Sequence, residues 1–244
     1  MRVIPACLVV ILLASGVFAQ KQKAWTEWNK KDVDKILNDS AWGQTQSEGT
    51  DEQLSSGSSG AITQVAAPRA ADREINRSGE SGEAKPSKLV KYHVRFLSAK
   101  PVRAAFARKV LLSNAHANEA LALQLQGFVD RDFNDYIVLS VGIEVSDQRM
   151  AAPLQRAFTT ATTEGLQKNV YLERKDGKKL YLMEYRAPAE DGMGAKFVFP
   201  RTVDGQPFLS ENDSVRFVAE MNDKMKLNTK YKLSEMLYDG KLEY

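Results

Sequence analysis

Three Asp-Gly pairs, Asp176-Gly177, Asp204-Gly205 and Asp239-Gly240, each lie between alternating apolar residues, and they constrain the fold more than any other feature of the chain. Asp-Gly suits two-residue hairpin turns, whose central residues need positive φ, so the region after about residue 168 is expected to be strand and turn. A two-residue turn at the first pair places Val170, Leu172, Tyr181 and Met183 on one face. Val215, Phe217, Ala219 and Met221 make a further strand, and Tyr231 with Leu233 begins another.

Upstream the periodicity changes twice. In KLVKYHVRFL, Val90, Tyr92, Val94 and Phe96 alternate with Lys91, His93 and Arg95, the pattern of a half-buried strand. Pro101 then suits a first helical turn, with Val102, Phe106 and Val110 along one side. A second helix is expected from about Asn118, with Leu121, Leu125, Phe128 and Val129 inward. Ile137, Leu139, Val141, Ile143 and Val145 share a face of a strand whose other face is only weakly polar, which marks it as central. A short helix carrying Leu154 and Phe158 follows. The expected fold class for residues 88–244 is α+β: mainly an antiparallel sheet or β-sandwich, with helices inserted between its first two strands.

The N-terminal part has a different composition. Residues 1–19 carry a lone Arg2, an apolar run from Leu8 to Leu13, and small Val17 and Ala19 before a cleavage point, which reads as a secretory signal peptide. Its loss would take the formal charge from +3 to +2 and remove Cys7, the only cysteine. An exported mature chain, periplasmic or secreted, then has no thiol for catalysis, disulfides or zinc. Residues 20–42 hold every tryptophan. Asn29 is a candidate N-cap with Asp32 three residues on, and Val33, Ile36 and Leu37 form an apolar stripe flanked by Trp25, Trp28 and Trp42. A helix this short is marginal alone, so these six residues are expected to dock on a partner molecule or on the chain's own domain. Residues 43–87 lack aromatics and are rich in Ser, Gly, Gln and Glu, which reads as a disordered, flexible linker.

The stretches KKDVDKILNDSAWGQTQ, FVFPRTVDGQPFL and MLYDGKLEY resemble a group of predicted exported bacterial proteins with no assigned function. The resemblance implies bacterial export and carries no activity and no site residues.

Motifs for chemistry are sparse. His93 and His116 are the only histidines, and neither has a catalytic or metal-binding spacing around it. Asp130, Asp132 and Asn134 begin like a calcium loop, but Asp135 occupies the required glycine position and Val141 that of the bidentate glutamate, so a turn is expected. No metal or cofactor is expected. The strongest local signal is charge: between Ala84 and Asn118 there is no acid, while Lys91, Arg95, Lys100, Arg103 and Arg108 are among the bases. These five are the candidate ligand-binding patch, suited to an anionic surface or polymer, or to another envelope protein, rather than to genomic nucleic acid. The composite reading is an exported, non-catalytic binding or interaction module. Its alternative is an envelope hydrolase with a carboxylate-based site.

Overall fold

Asn29 ends the irregular N-terminal turn by accepting from Asp32 N at 3.0 Å, while the Asp32 carboxylate accepts from Asn29 N at 2.9 Å. This reciprocal capping box starts helix α1, Lys30–Asn38, as the residue types at that spacing predict. The computed structural model describes residues 23–49 and 89–244. The signal peptide read at 1–19, and the linker from residue 50 on, lie outside the described residues.

Strand β1, Gly43–Gly49, follows α1 after a tight reversal. Gly43 is required there, because a Cβ would lie 2.6 Å from Leu37 O and 2.7 Å from Ile36 O. This strand corrects the linker boundary. GQTQSEG has no apolar residue to announce a strand, yet it pairs antiparallel with β2, Leu89–Phe96, from Gly43↔Arg95 to Gly49↔Leu89. Residues 50–88 therefore leave and re-enter at directly opposed positions of one ladder.

Helices α2, Lys100–Ser113, and α3, Glu119–Val129, separate β2 from β3, Tyr136–Val145, as expected. Helices α4, Ala151–Thr160, and α5, Thr163–Leu166, precede β4, Val170–Arg174, β5, Lys179–Tyr181, β6, Glu184–Arg186, and β7, Ala195–Pro200. A small hairpin, β8 at Thr202–Val203 and β9 at Gln206–Pro207, leads to β10, Ser214–Asn222, and β11, Met225–Lys232. The terminal hairpin is β12, Leu237–Tyr238, with β13, Lys241–Leu242. One antiparallel sheet has the order β1-β2-β3-β7-β6, with β3 central, and a second has the order β11-β10-β4-β5.

The two sheets face each other across an aromatic core. Phe96 meets Tyr231 edge-on at 4.8 Å, Phe197 meets Phe217 at 5.4 Å, and Tyr231 donates to Val94 O at 2.9 Å. The opposite face of the five-stranded sheet carries Arg95, whose guanidinium lies over Phe106 of α2 and donates to the end of α1. The chain is thus an α+β protein in which α1 and α2 cover the outer face of a β-sandwich.

Asp204 and Asp239 have φ of 52° and 49°, and the glycine after each is also positive, as a two-residue hairpin turn requires. The first Asp-Gly pair behaves differently. Only Gly177 is positive at Asp176-Gly177, and Gly177 N donates to Arg174 O, so the loop takes three residues. The register becomes Tyr171↔Tyr181 and Leu172↔Leu180. That shift of one residue turns Leu180 and Leu182 inward and leaves Tyr181 and Met183 exposed, correcting the expected face.

Because Gly49 and Leu89 are already opposed, replacing 50–88 with Asn-Gly should keep the fold and raise stability by about 2 kcal/mol through cheaper loop closure. Thermal denaturation measures it; a lower Tm would mean that 50–88 makes stabilising contacts of its own.

Candidate functional site

The five basic residues expected to form a patch do not form one. Arg95 is 7% exposed and Arg103 is 4% exposed. The Nε of Arg95 donates to Leu37 O at 2.7 Å, and its Nη2 donates to Asn38 Oδ1 at 2.8 Å. Arg103 donates through Nε to Val129 O at 3.1 Å and also engages the carbonyls of Leu97 and Ser98. Burial pushes both guanidinium pKa values down to about 10, which still leaves them charged at neutral pH. Arg108 Nε donates to Trp28 O at 2.6 Å, Lys91 pairs with Glu144 at 2.9 Å, and Lys100 pairs with Asp130 at 2.8 Å. These cations join helix ends and loops to the sheet, and their acids come from distant segments that a local charge count does not see.

The tryptophan island is covered in the same way. Val33, Leu37 and Trp28 are buried in the common core, and Trp25, Ile36 and Trp42 pack against it. Trp28 Nε1 donates to Lys23 O at 3.0 Å. Trp42 Nε1 donates to Glu243 O at 2.8 Å and its ring meets Tyr238 edge-on. Of the two docking alternatives, the structure has the island on its own domain.

His93 belongs to a short polar relay. Thr45 Oγ1 lies 3.0 Å from Asn38 O and 2.9 Å from His93 Nδ1, and His93 Nε2 lies 3.3 Å from Glu144 Oε2. A hydroxyl, an imidazole and a carboxylate in this order have the sequence of a nucleophilic triad. Here the hydroxyl proton has two competing acceptors, and its bond to Asn38 O ties β1 to α1. Burial, aided by Arg95 and Lys91, lowers the His93 pKa against the opposing pull of Glu144.

A cleft forms where the helical layer stops short of β6 and β7. Its apolar arm, about 530 Å³, lies between α2 and α3 and is lined by Phe106, Val110, Leu125, Phe128 and Met193. A second arm of about 490 Å³ shares Phe128, Asp191 and Met193 and runs over Val138 and Val198 of the sheet. Its rim is charged: Arg131, Asp132, Asp135, Glu184, Arg186, Asp191 and Lys196. Glu184 accepts from Arg186 at 2.7 Å, which holds its carboxyl below the usual range, and Asp191 pairs with Lys196 at 2.6 Å. Helix α3 forms one wall although Val129 is its only fully buried residue, with Leu123 68% exposed.

Sequence periodicity put Val110 on one side of α2 and turned Leu125 and Phe128 inward on α3; all three line the cleft. Met193 carried no signal, since the segment between β6 and β7 has no regular period, and Glu184 and Lys196, at the starts of β6 and β7, were not singled out. Asp132 and Asn134 of the calcium-like run also line this cleft, while Asp130 is held by Lys100. No group of three or more metal-ligating side chains occurs among the described residues, and no helix among them is long and apolar enough to cross a membrane. No family model, curated protein or solved structure matches the chain.

Two substitutions test these assignments. Arg95→Met should lower stability by about 3 kcal/mol, because two charge-assisted bonds are lost and Leu37 O is left buried without its donor; chemical denaturation reads it. For His93, the unfolded chain takes up the proton at higher pH than the folded one, so stability should fall as pH drops from about 6.5 through the lower folded pKa. His93→Gln should flatten that slope in Tm measured against pH, and an unchanged slope would assign it to other groups.

Proposed function

We propose that this chain is an exported, non-catalytic binding module that holds the apolar part of an amphipathic ligand in the cleft between α2, α3 and the β6–β7 side of the sheet. The observation that carries the reading is the apolar arm of about 530 Å³, which opens directly onto a charged arm of similar size. Open clefts of this size with apolar walls and a few polar groups are the usual form of small-ligand sites. The wall residues supply contact area, and the rim charges are placed to orient a polar end.

Export enters from the leader-like residues 1–19 and remains part of the proposal. The binding reading is favoured over the carboxylate hydrolase because two of the four rim carboxylates, Glu184 and Asp191, are committed to neighbouring cations. A glycosidase-type pair needs one carboxyl kept protonated and one free to attack or to activate water, whereas Arg186 holds Glu184 ionised.

Anilinonaphthalene sulfonate, an apolar anionic fluorophore, is the first probe. Val110 lines the apolar arm and is 42% exposed, so Val110→Arg can block the arm without removing a core side chain. The expected result is fluorescence enhancement with the wild type, lost at least about tenfold in affinity with Val110→Arg at unchanged Tm. Leu237→Arg, at another exposed apolar position, should have no effect. Equal binding by all three proteins would defeat the proposal.

A further inference from the structure

The cations absent from the expected patch have counterparts on the other side of the molecule. The four-stranded sheet turns one face to the core and the other to solvent, and no element among the described residues packs over the latter. Along β11 the pattern MKLNTKYK alternates buried Met225, Leu227 and Tyr231 with exposed Lys226, Lys230 and Lys232.

The ladder registers arrange this outer face in rows. One row runs Lys230, Arg216, Glu173, Lys179 across all four strands. The next runs Asn228, Val218, Tyr171, Tyr181. Rows two residues apart along a strand are separated by roughly 7 Å, so a basic row lies beside an aromatic one. Tyr171 and Tyr181 are neighbours at 5.8 Å between ring centroids, Tyr181 is 49% exposed, and Lys179 Nζ sits 4.1 Å from the Tyr171 ring centroid.

Charge on the face is unevenly compensated. Glu173 is taken by Arg216, Glu220 by Lys226 and Asp176 by Arg174. Lys230 forms no ion pair among the described residues; Lys179 lies opposite Glu173 and over Tyr171, and Lys175 donates to the carbonyl of Asn212. Lys175, Lys230, Arg174 and Arg216 line a notch of about 340 Å³ at the end of the basic row, open beside Ser214. Arg174 reaches this rim from the inward side of β4, opposite Val215, and its guanidinium is turned to Phe208 O and Asp176.

We infer that this outer sheet face binds an acidic polysaccharide chain, with sugar rings against Tyr171 and Tyr181 and carboxylates directed to Lys230, Lys179 and the notch. Adjacent aromatic and basic rows fit a polymer that presents a ring and a carboxylate in each unit. Asn228 and Ser214 add neutral hydrogen-bonding groups suited to hydroxyls. The large outward apolar side chains of the face are the two tyrosines, fewer than an inserting membrane surface presents.

The test uses the full chain and polygalacturonate at low and moderate salt, with its fully methyl-esterified form and single-stranded DNA as comparisons. The expected result is salt-sensitive binding of polygalacturonate, weakened at least about tenfold by methyl esterification and by the double variant Lys175→Glu with Lys230→Glu. Tyr181→Ala should weaken it several-fold at unchanged Tm, and the cleft variant Val110→Arg should leave it intact, which separates this face from the proposed cleft function. No binding at low salt, or binding unaltered in the double variant, would overturn the inference. Tighter binding of single-stranded DNA, lost in the same variants, would overturn it in favour of a nucleic acid.

Discussion

A guanidinium enclosed between a sheet and two helices must satisfy its donors locally, and Arg95 does so by holding three elements at once. From β2 it donates to the carbonyl of Leu37 and the side chain of Asn38, where α1 runs out of its own hydrogen bonds, and its plane lies over Phe106 of α2. A helix of nine residues is too short to persist by propensity alone. Its order therefore depends on this anchor, on the burial of Val33 and Leu37, and on the capping box at its start. Once α1 is fixed, Gly43 can turn the chain beneath the helix end, and β1 is delivered to the edge of the five-stranded sheet.

That edge exposes a general problem of sandwiches, since unpaired strand edges invite pairing with other chains. Here two glutamines close part of the seam between the sheets. Gln46 donates from Nε2 to Lys226 O at 2.8 Å and accepts at Oε1 from Asn228 N at 2.8 Å, so its side-chain amide imitates a neighbouring strand. Gln44 donates to Lys230 O at 2.7 Å. At the far edge, Tyr185 N of β6 is taken by Thr163 Oγ1 of α5. The terminal segment is tied in similarly: Glu243 accepts from Lys100 N at the start of α2, and Arg201 stacks on Tyr244. The island, FVFPRTVDGQPFL and the terminal hairpin, all singled out in the sequence, thus converge through Trp42, Arg201 and Glu243.

What was legible in the sequence was local. The α1 cap, the alternation in β2 and β3, the start of α3 near Asn118 and two of the three Asp-Gly turns depend on residues within a few positions of each other. β1 was illegible because its stability lies in the ladder with β2 and in amide bonds to β11, across separations of some 180 residues. The Asp176-Gly177 register was missed because the dipeptide admits both a two-residue turn and a three-residue loop, and their difference reverses one strand. The cleft was illegible for a related reason. Leu125 and Phe128 have helical spacing in either case, and only the arrest of the helical layer before β6 decides that they line a cavity.

The contrast between the two basic regions follows from side-chain chemistry. Arginine carries a planar fork of donors and is less strongly hydrated than an ammonium, so it can be enclosed where several carbonyls converge, as at the end of α1 and at the loop carbonyls around Arg103. Lysine is a strongly hydrated point charge on a flexible stem, and on a strand with one buried face it occupies the outward positions. The acid-free run from Ala84 to Asn118 contains three arginines that became internal fasteners, and its Lys91 and Lys100 found acids brought close by the fold. In β11 each outward lysine is fixed by period-two alternation with buried Met225, Leu227 and Tyr231, which holds the charge at the surface whatever the surrounding composition. Alternation thus fixes where a lysine emerges but not whether it is compensated: in β11 Lys226 and Lys232 meet Glu220 and Glu235, and Lys230 alone of the three forms no ion pair among the described residues.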